Sequence, residues 1–145
     1  MSIHYEVAGS IATITIDRPE NCNAMTYATL GEFIPRLIGP FAALRLLYSG
    51  DFLFAEEALR IGYVQQVIEP DQLLGAARAE GERYSLGSPF SQQRIKALVY
   101  ASLGRDRAAH LEAHTVALAE CFKSSDHAEG VASFLERRPA NFTGK

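Results

Sequence analysis

Cysteine is scarce in this sequence: Cys22 and Cys121 are the two among 145 residues, and they lie far apart. Two such residues support neither a disulfide scaffold nor a zinc site, and they suit free thiols in a reducing compartment. Long apolar runs are missing as well. None reaches the roughly 18 residues that cross a bilayer. The opening Met1-Ser2-Ile3-His4-Tyr5-Glu6 carries neither the basic stretch nor the apolar stretch of a secretory leader. A cytoplasmic protein with no membrane partner is the expectation. An excess of positive charge is also lacking. The formal net charge is −3, so there is no basic field to hold nucleic acid. There is no internal repeat, no low-complexity tract and no flexible linker. What is present is ordinary for a folded domain: 48% hydrophobic and 21% charged residues, in a chain long enough to bury a core.

The first elements read clearly. Ile3, Tyr5 and Val7 alternate with polar residues, and Ala12, Ile14 and Ile16 alternate with threonines. Gly9, between the two runs, can take the positive φ of a tight turn, so a β-hairpin is predicted. Pro19 ends the second strand, and Glu20 to Ala24 is a loop. Thr26 can cap a helix to about Phe33, because Pro35 disfavours helical geometry at Ile34. Gly39-Pro40 is a second break, and a helix follows over Ala42 to Tyr48. A short helix spans Ala55 to Ile61, with Gly62 placed just past its end. Tyr63 to Ile68 reads as a strand. Helices are then expected from Asp71 to about Tyr84, from Ser88-Pro89 to about Leu103, over Arg107 to Phe122, and from Ser125-Asp126 to before Pro139. This inventory is uneven. A two-stranded hairpin is marginal alone, so it packs on the helices or its sheet partners are absent.

The motifs carry a family resemblance. Ile14 to Met25 (ITIDRPENCNAM) resembles the crotonase signature, a strand followed by "RP…NA(L/M)". Pro35 to Pro40 resembles the segment after that family's active-site helices. Ser49 to Val67 (SGDFLFAEEALRIGYVQQV) is similar to its "TG…(S/A)xEAxxxGLVxxV" block. Ser88-Pro89 with Lys96-Ala97 resembles its "SP…K" helix. Ser125 to Arg138 resembles its closing "(S/E)DxxEGxxAFxEKR" helix. The resemblance is to the crotonase (enoyl-CoA hydratase/isomerase) family. It implies an α/β fold of the ClpP/crotonase superfamily, here an N-terminal β-hairpin plus a mainly helical C-terminal part. Residues 1–33 would be the hairpin and CoA-loop part of the core. Residues 34–145 would be the helical part, with the helices that build trimers or hexamers.

The departure from the family pattern bears on activity. Family domains run to roughly 250 residues, and roughly a hundred are missing here between the Asn23-Ala24 loop and Pro35. The junction falls between Leu30 and Ile34. The missing stretch would hold the two oxyanion-hole peptides, the "AGxD" loop, the "GGG" turn and the proton-handling acids. The family holds an acyl-CoA thioester oxygen with two backbone N–H groups as enolate charge develops, each often worth several kcal/mol. Carboxylates then move a proton or activate water. The resemblance therefore implies hydration or double-bond isomerisation of acyl-CoA thioesters, but no catalytic residue can be named and little or no turnover is expected of the chain as it stands. A non-catalytic remnant that assembles or binds partners is the alternative.

What carries over is the CoA-binding edge. The family loop along coenzyme A aligns with Glu20, Asn21, Cys22 and Ala24. Arg18 could face a phosphate or could simply end its strand. Arg137 matches a basic position on the last helix that reaches CoA, or it lies on a solvated face. The resemblance implies no separate cofactor, because CoA arrives as part of the substrate. No metal site is expected. His110 and His114 stand one helical turn apart, but Glu112 does not give the HExxH order and no third ligand is evident. Adjacent Glu56 and Glu57 point to different helix faces and favour a helix N-terminus by charge. His127 reads as a surface residue. Gly9, Gly39 and Gly62 are scattered turn residues, not a phosphate cradle.

Overall fold

The computed structural model describes residues 2–17, 20 and 27–145. The chain forms two compact units, Met1–Ala77 and Arg78–Lys145. The first contains a two-stranded antiparallel sheet, β1 (Ser2–Ala8) and β2 (Ile11–Asp17). Gly9 closes it at φ 61° while Ser10 stays at negative φ, the pattern of a type II′ turn, whose twist matches the strands. The register pairs Tyr5 with Ile14 and Val7 with Ala12, so the apolar side chains share one face. No helix covers that face: Tyr5, Val7, Ile14 and Ile16 are 57–67% exposed. The predicted hairpin is there, but it stands uncovered.

Helix α1 (Tyr27–Ile38) corrects one expectation. The predicted stop before Pro35 does not occur, and Pro35 sits inside the helix. A proline in a helix interior costs about 3 kcal/mol relative to alanine. Against this, α1 packs on α2 (Pro40–Ser49) and buries Ile34 to 2% exposure. Burying one such side chain returns roughly 1.5–3 kcal/mol, so tertiary packing overrides the local preference. The cap expected from Thr26 lies outside the described residues. Gly39, at φ 78°, makes the break that the sequence predicts, with Pro40 at the first helical position of α2. Ala43 of α2 is 1% exposed and Ala58 of α3 (Ala55–Arg60) is 6% exposed; with Ile34 they are the buried apolar residues described.

Helix α3 ends as the position of Gly62 predicts. The Tyr63 N–H donates to the Ala58 carbonyl at 2.8 Å and the Gly62 N–H to Leu59 at 3.1 Å, with Gly62 at φ 77°. This is a Schellman cap. The predicted strand at Tyr63–Ile68 does not form; the segment is irregular. A strand needs a ladder partner, and β1 and β2 are paired with each other. The amides of Tyr63 and Val64 instead both donate to the Ala58 carbonyl.

Helix α4 (Leu73–Ser85) starts slightly later than expected and runs from the first unit into the second. The second unit adds α5 (Pro89–Ser102), α6 (Arg107–Lys123) and α7 (Ser125–Glu136). The Ser88, Asp106 and Ser124 side chains cap these three by accepting from Ser91, Ala109 and His127 amides. Helix α6 packs against both α5 and α7. Arg94 of α5 meets Glu120 of α6 at 2.8 Å. Among the described residues, no helix is long and apolar enough to cross a membrane.

Candidate functional site

Two of the described hollows hold an acid of lowered pKa, and one helix end carries a candidate CoA residue. In the first unit, the α2–α3 region encloses about 550 Å³, lined by Phe41, Arg45, Leu46, Asp51, Phe52, Glu57, Arg60 and their neighbours. That is a ligand-sized volume. One of its two acids, Glu57, is committed, however. Arg60 donates to both Glu57 oxygens at 2.5 and 2.6 Å, and Arg45 stands at 3.7 Å. The Arg60 hydrogen bonds are the main reason that Glu57 is held below the usual carboxylate range. It is a paired anion, not a proton shuttle.

In the second unit, a concavity of about 500 Å³ lies among Ser88, Ser91, Cys121, Asp126, Phe134 and Phe142. Asp126 is 2% exposed. The Ser88 hydroxyl donates to its Oδ2 at 2.6 Å, and the amides of Thr143 and Gly144 donate to its Oδ1 at 2.8 and 3.0 Å. Burial works against its charge. The Ser88 hydroxyl and the Thr143, Gly144 and Phe90 amides outweigh that penalty and lower its pKa. In return, the Asp126 amide and the Ser125 hydroxyl donate to the Lys145 carbonyl at 3.1 and 2.6 Å. One turn along α7, Glu129 takes a bidentate pair from Arg138 and the Asn141 amide at 2.7 Å. Arg138 is the larger cause and the Asn141 amide the next; they lower the Glu129 pKa to about 2. Asp126 and Glu129 thus clasp residues 138–145 onto α7. The sequence motif contains both acids three residues apart, on one helix face. That spacing is the signal for the clasp.

The end of α7 bears on Arg137. Its backbone lies at φ 54°, ψ 42°, the only non-glycine among the described residues at positive φ. The amides of Arg137 and Arg138 donate to Phe134 and Ser133, again a Schellman cap, with arginine where glycine is usual. The Arg137 side chain is exposed, as is Glu20. Arg18, Asn21, Cys22 and Ala24 lie outside the described residues. Glu20 and Arg137 are the described members of the predicted CoA edge, and both are exposed. Cys121 is a free thiol that accepts from the Ser91 hydroxyl at 3.8 Å. His110 Nδ1 is buried without a hydrogen-bond partner, His114 is exposed, and no metal-ligating group of three is present among the described residues. His127, expected at the surface, is exposed and packs its ring edge-on against Phe122 at 4.9 Å.

Comparison with known proteins defines the class first. Solved structures that match are enoyl-CoA hydratases of the crotonase fold. A probable enoyl-CoA hydratase/isomerase from Mycobacterium abscessus superposes with a TM-score of 0.76 at 28% identity, over 82% of this chain and 46% of that one. A putative enoyl-CoA hydratase from Streptomyces coelicolor gives 0.74 at 33% identity, over 81% and 42%. In sequence, the crotonyl-CoA hydratase of Syntrophomonas wolfei is 38% identical over 114 residues, covering 77% of this chain and 43% of the relative. The (E)-benzylidenesuccinyl-CoA hydratase of Thauera aromatica is 35% identical, covering 78% and 44%. A model of the enoyl-CoA hydratase/isomerase family matches residues 28–145. The chain belongs to the enoyl-CoA hydratase/isomerase family. It spans less than half the length of the relatives just named.

Proposed function

We propose that this chain takes part in acyl-CoA thioester chemistry, the hydration or double-bond isomerisation of an enoyl-CoA through an enolate, and that on its own it does not turn substrate over. Arg18, Glu20, Asn21, Cys22, Ala24 and Arg137 form its CoA-binding edge in this reading. Coenzyme A enters as part of the substrate, and the setting is cytoplasmic. The organisation remains a hairpin and CoA loop over 1–33 and a helical assembly part over 34–145, with the last helices joining copies into trimers or hexamers.

One observation carries the reading. The chain matches CoA-thioester hydratases in sequence, yet Glu57 and Asp126, the acids of lowered pKa in two of its described hollows, are both held in the charged, hydrogen-bonded state. A catalytic acid needs the opposite, a carboxyl raised toward neutral pH by an apolar or like-charged setting. Mixing the purified chain with crotonyl-CoA and following loss of the enoyl absorbance tests this. The rate is expected to equal the buffer blank, and turnover well above it would sink the claim of inactivity. Calorimetry with coenzyme A tests the edge. Binding that weakens roughly tenfold in Arg137→Ala is expected, the scale of one charge-assisted hydrogen bond.

A second reading is favoured by the exposure of the hairpin and of aromatic residues such as Phe41 and Phe134, 85% and 82% exposed. Here the chain is a non-catalytic module for assembly or partner binding. Light scattering of the chain alone and mixed with an intact family member tests for assembly, and a chain that assembles without binding coenzyme A in the calorimetry favours this second reading over the first.

A further inference from the structure

The uncovered hairpin is where unmet bonding capacity is greatest. Two separate compact bodies of half this mass would expose about 8,900 Å² together. The chain exposes 11,528 Å². The difference, roughly 2,600 Å², is at the upper end of what one subunit buries in a large obligate interface. Much of the chain's exposed apolar surface lies on helices, whose backbone bonds are already made. The hairpin differs, because the outer backbone edge of β2 also has no ladder partner among the described residues.

The register says which groups point outward. Ala8 and Ile11 flank a two-residue turn, so they form a hydrogen-bonded pair, and the pairs alternate from there. Val7–Ala12 and Tyr5–Ile14 are therefore of the non-bonded kind. The N–H and C=O groups of Ala12, Ile14 and Ile16 point away from β1, along the outer edge of β2. The two edges are not alike. β1 carries His4 and Glu6, the polar and charged side chains that blunt an edge, whereas β2 reads Ile-Ala-Thr-Ile-Thr-Ile before its first charge at Asp17. It holds no proline and no lysine.

We propose that β2 pairs antiparallel with β2 of a second copy of this chain, about a twofold axis through Ile14. In that register Ile14 faces Ile14 of the second copy, and Ala12 faces Ile16 of the second copy. Each is a bonded pair that exchanges both its N–H···O contacts. Side chains then agree as well. Tyr5, Ile14, and Ile14 and Tyr5 of the second copy line up in one row on the apolar face. Thr13 meets Thr15 of the second copy on the polar face. Two marginal hairpins become one four-stranded sheet with a continuous apolar face, past the size at which sheets hold on their own. This proposal is independent of the CoA reading.

Charge placed on the polar face tests both the contact and its register. In Thr13→Lys with Thr15→Lys, lysine faces lysine across the axis, and like charges directly opposite disfavour pairing. In Thr13→Lys with Thr15→Glu, unlike charges face each other, and each also meets a compatible partner on β1, Glu6 and His4. Light scattering is expected to show an assembly with an even number of copies for the wild type and for the Lys/Glu variant, and half that mass for the Lys/Lys variant. A second measurement does not depend on charge. Thr13 and Thr15 of the second copy form a close, non-bonded pair, so Thr13→Cys with Thr15→Cys is expected to give a covalent dimer on oxidation, and Thr13→Cys alone is not. A wild type that is monomeric at every concentration, a Lys/Lys variant of unchanged mass, or Cys variants that cross-link no better than the wild type overturns the proposal.

Discussion

At the scale of single residues, Arg137 stands out because its backbone and its side chain make opposite demands. A left-handed conformation costs a non-glycine residue about 1–2 kcal/mol, and glycine would hold the same cap without that cost. Arg137→Gly is therefore expected to stabilise the second unit by about 1 kcal/mol, read as a higher denaturant midpoint at unchanged slope. If the guanidinium also reaches CoA, the same variant binds CoA more weakly while folding more tightly. A stabilised variant with undiminished CoA affinity would leave Arg137 a strained surface residue. Nothing in the sequence marks this strain. The closing motif shows an arginine two residues before Pro139, and only the backbone reveals that it stands where glycine usually does. The Ser88 cap was far more legible: its chemistry is spent within three residues of itself and Pro89 follows it, so local sequence decides it, whereas Asp106 and Ser124 stand one residue before the predicted helix starts and show as caps only in the structure.

At the scale of elements, the failures share a cause. Strand Tyr63–Ile68 and the helix stop at Pro35 were both local readings, and each was decided by something distant. The strand had no ladder to join; the helix had α2 to pack on. Pro35→Ala is expected to stabilise the α1–α2 pair by up to about 3 kcal/mol, the interior penalty of proline. An unchanged thermal midpoint would show that the helix has already relaxed around the ring. The α7 clasp makes a further prediction, in pH. Asp126 and Glu129 both have pKa values lowered by folding, Glu129 from 4.5 to about 2. A lowered folded pKa stabilises above the unfolded value and loses that contribution as pH falls through the folded one. Melting followed by circular dichroism should thus be flat above about pH 5 and should fall steadily from pH 4.5 toward 2. Glu129→Gln, which cannot titrate, should flatten part of that slope. A slope as steep as the wild type's would mean that the clasp does not report the acid limb.

At the scale of the whole molecule, stability and association belong to one equilibrium. The sequence made the family legible through five ordered motifs, because motifs survive in short windows. It did not reveal how little of the chain's apolar surface finds cover, because burial depends on partners that a linear pattern does not contain. A protein with so much uncovered surface gains stability from whatever covers it, by mass action. If copies pair through β2, unfolding must also separate them, and each tenfold rise in protein concentration then adds about 1.4 kcal/mol per assembly of two. The melting temperature should rise by a few degrees over a hundredfold concentration range. The Thr13→Lys, Thr15→Lys variant should show a smaller rise over that range, because the β2 contact no longer contributes. A wild type whose midpoint ignores concentration would show that the exposed faces stay exposed in solution, and the stability of this chain would then have to come from contacts within one copy, among them the buried Ile34, Ala43 and Ala58, the caps and the clasp.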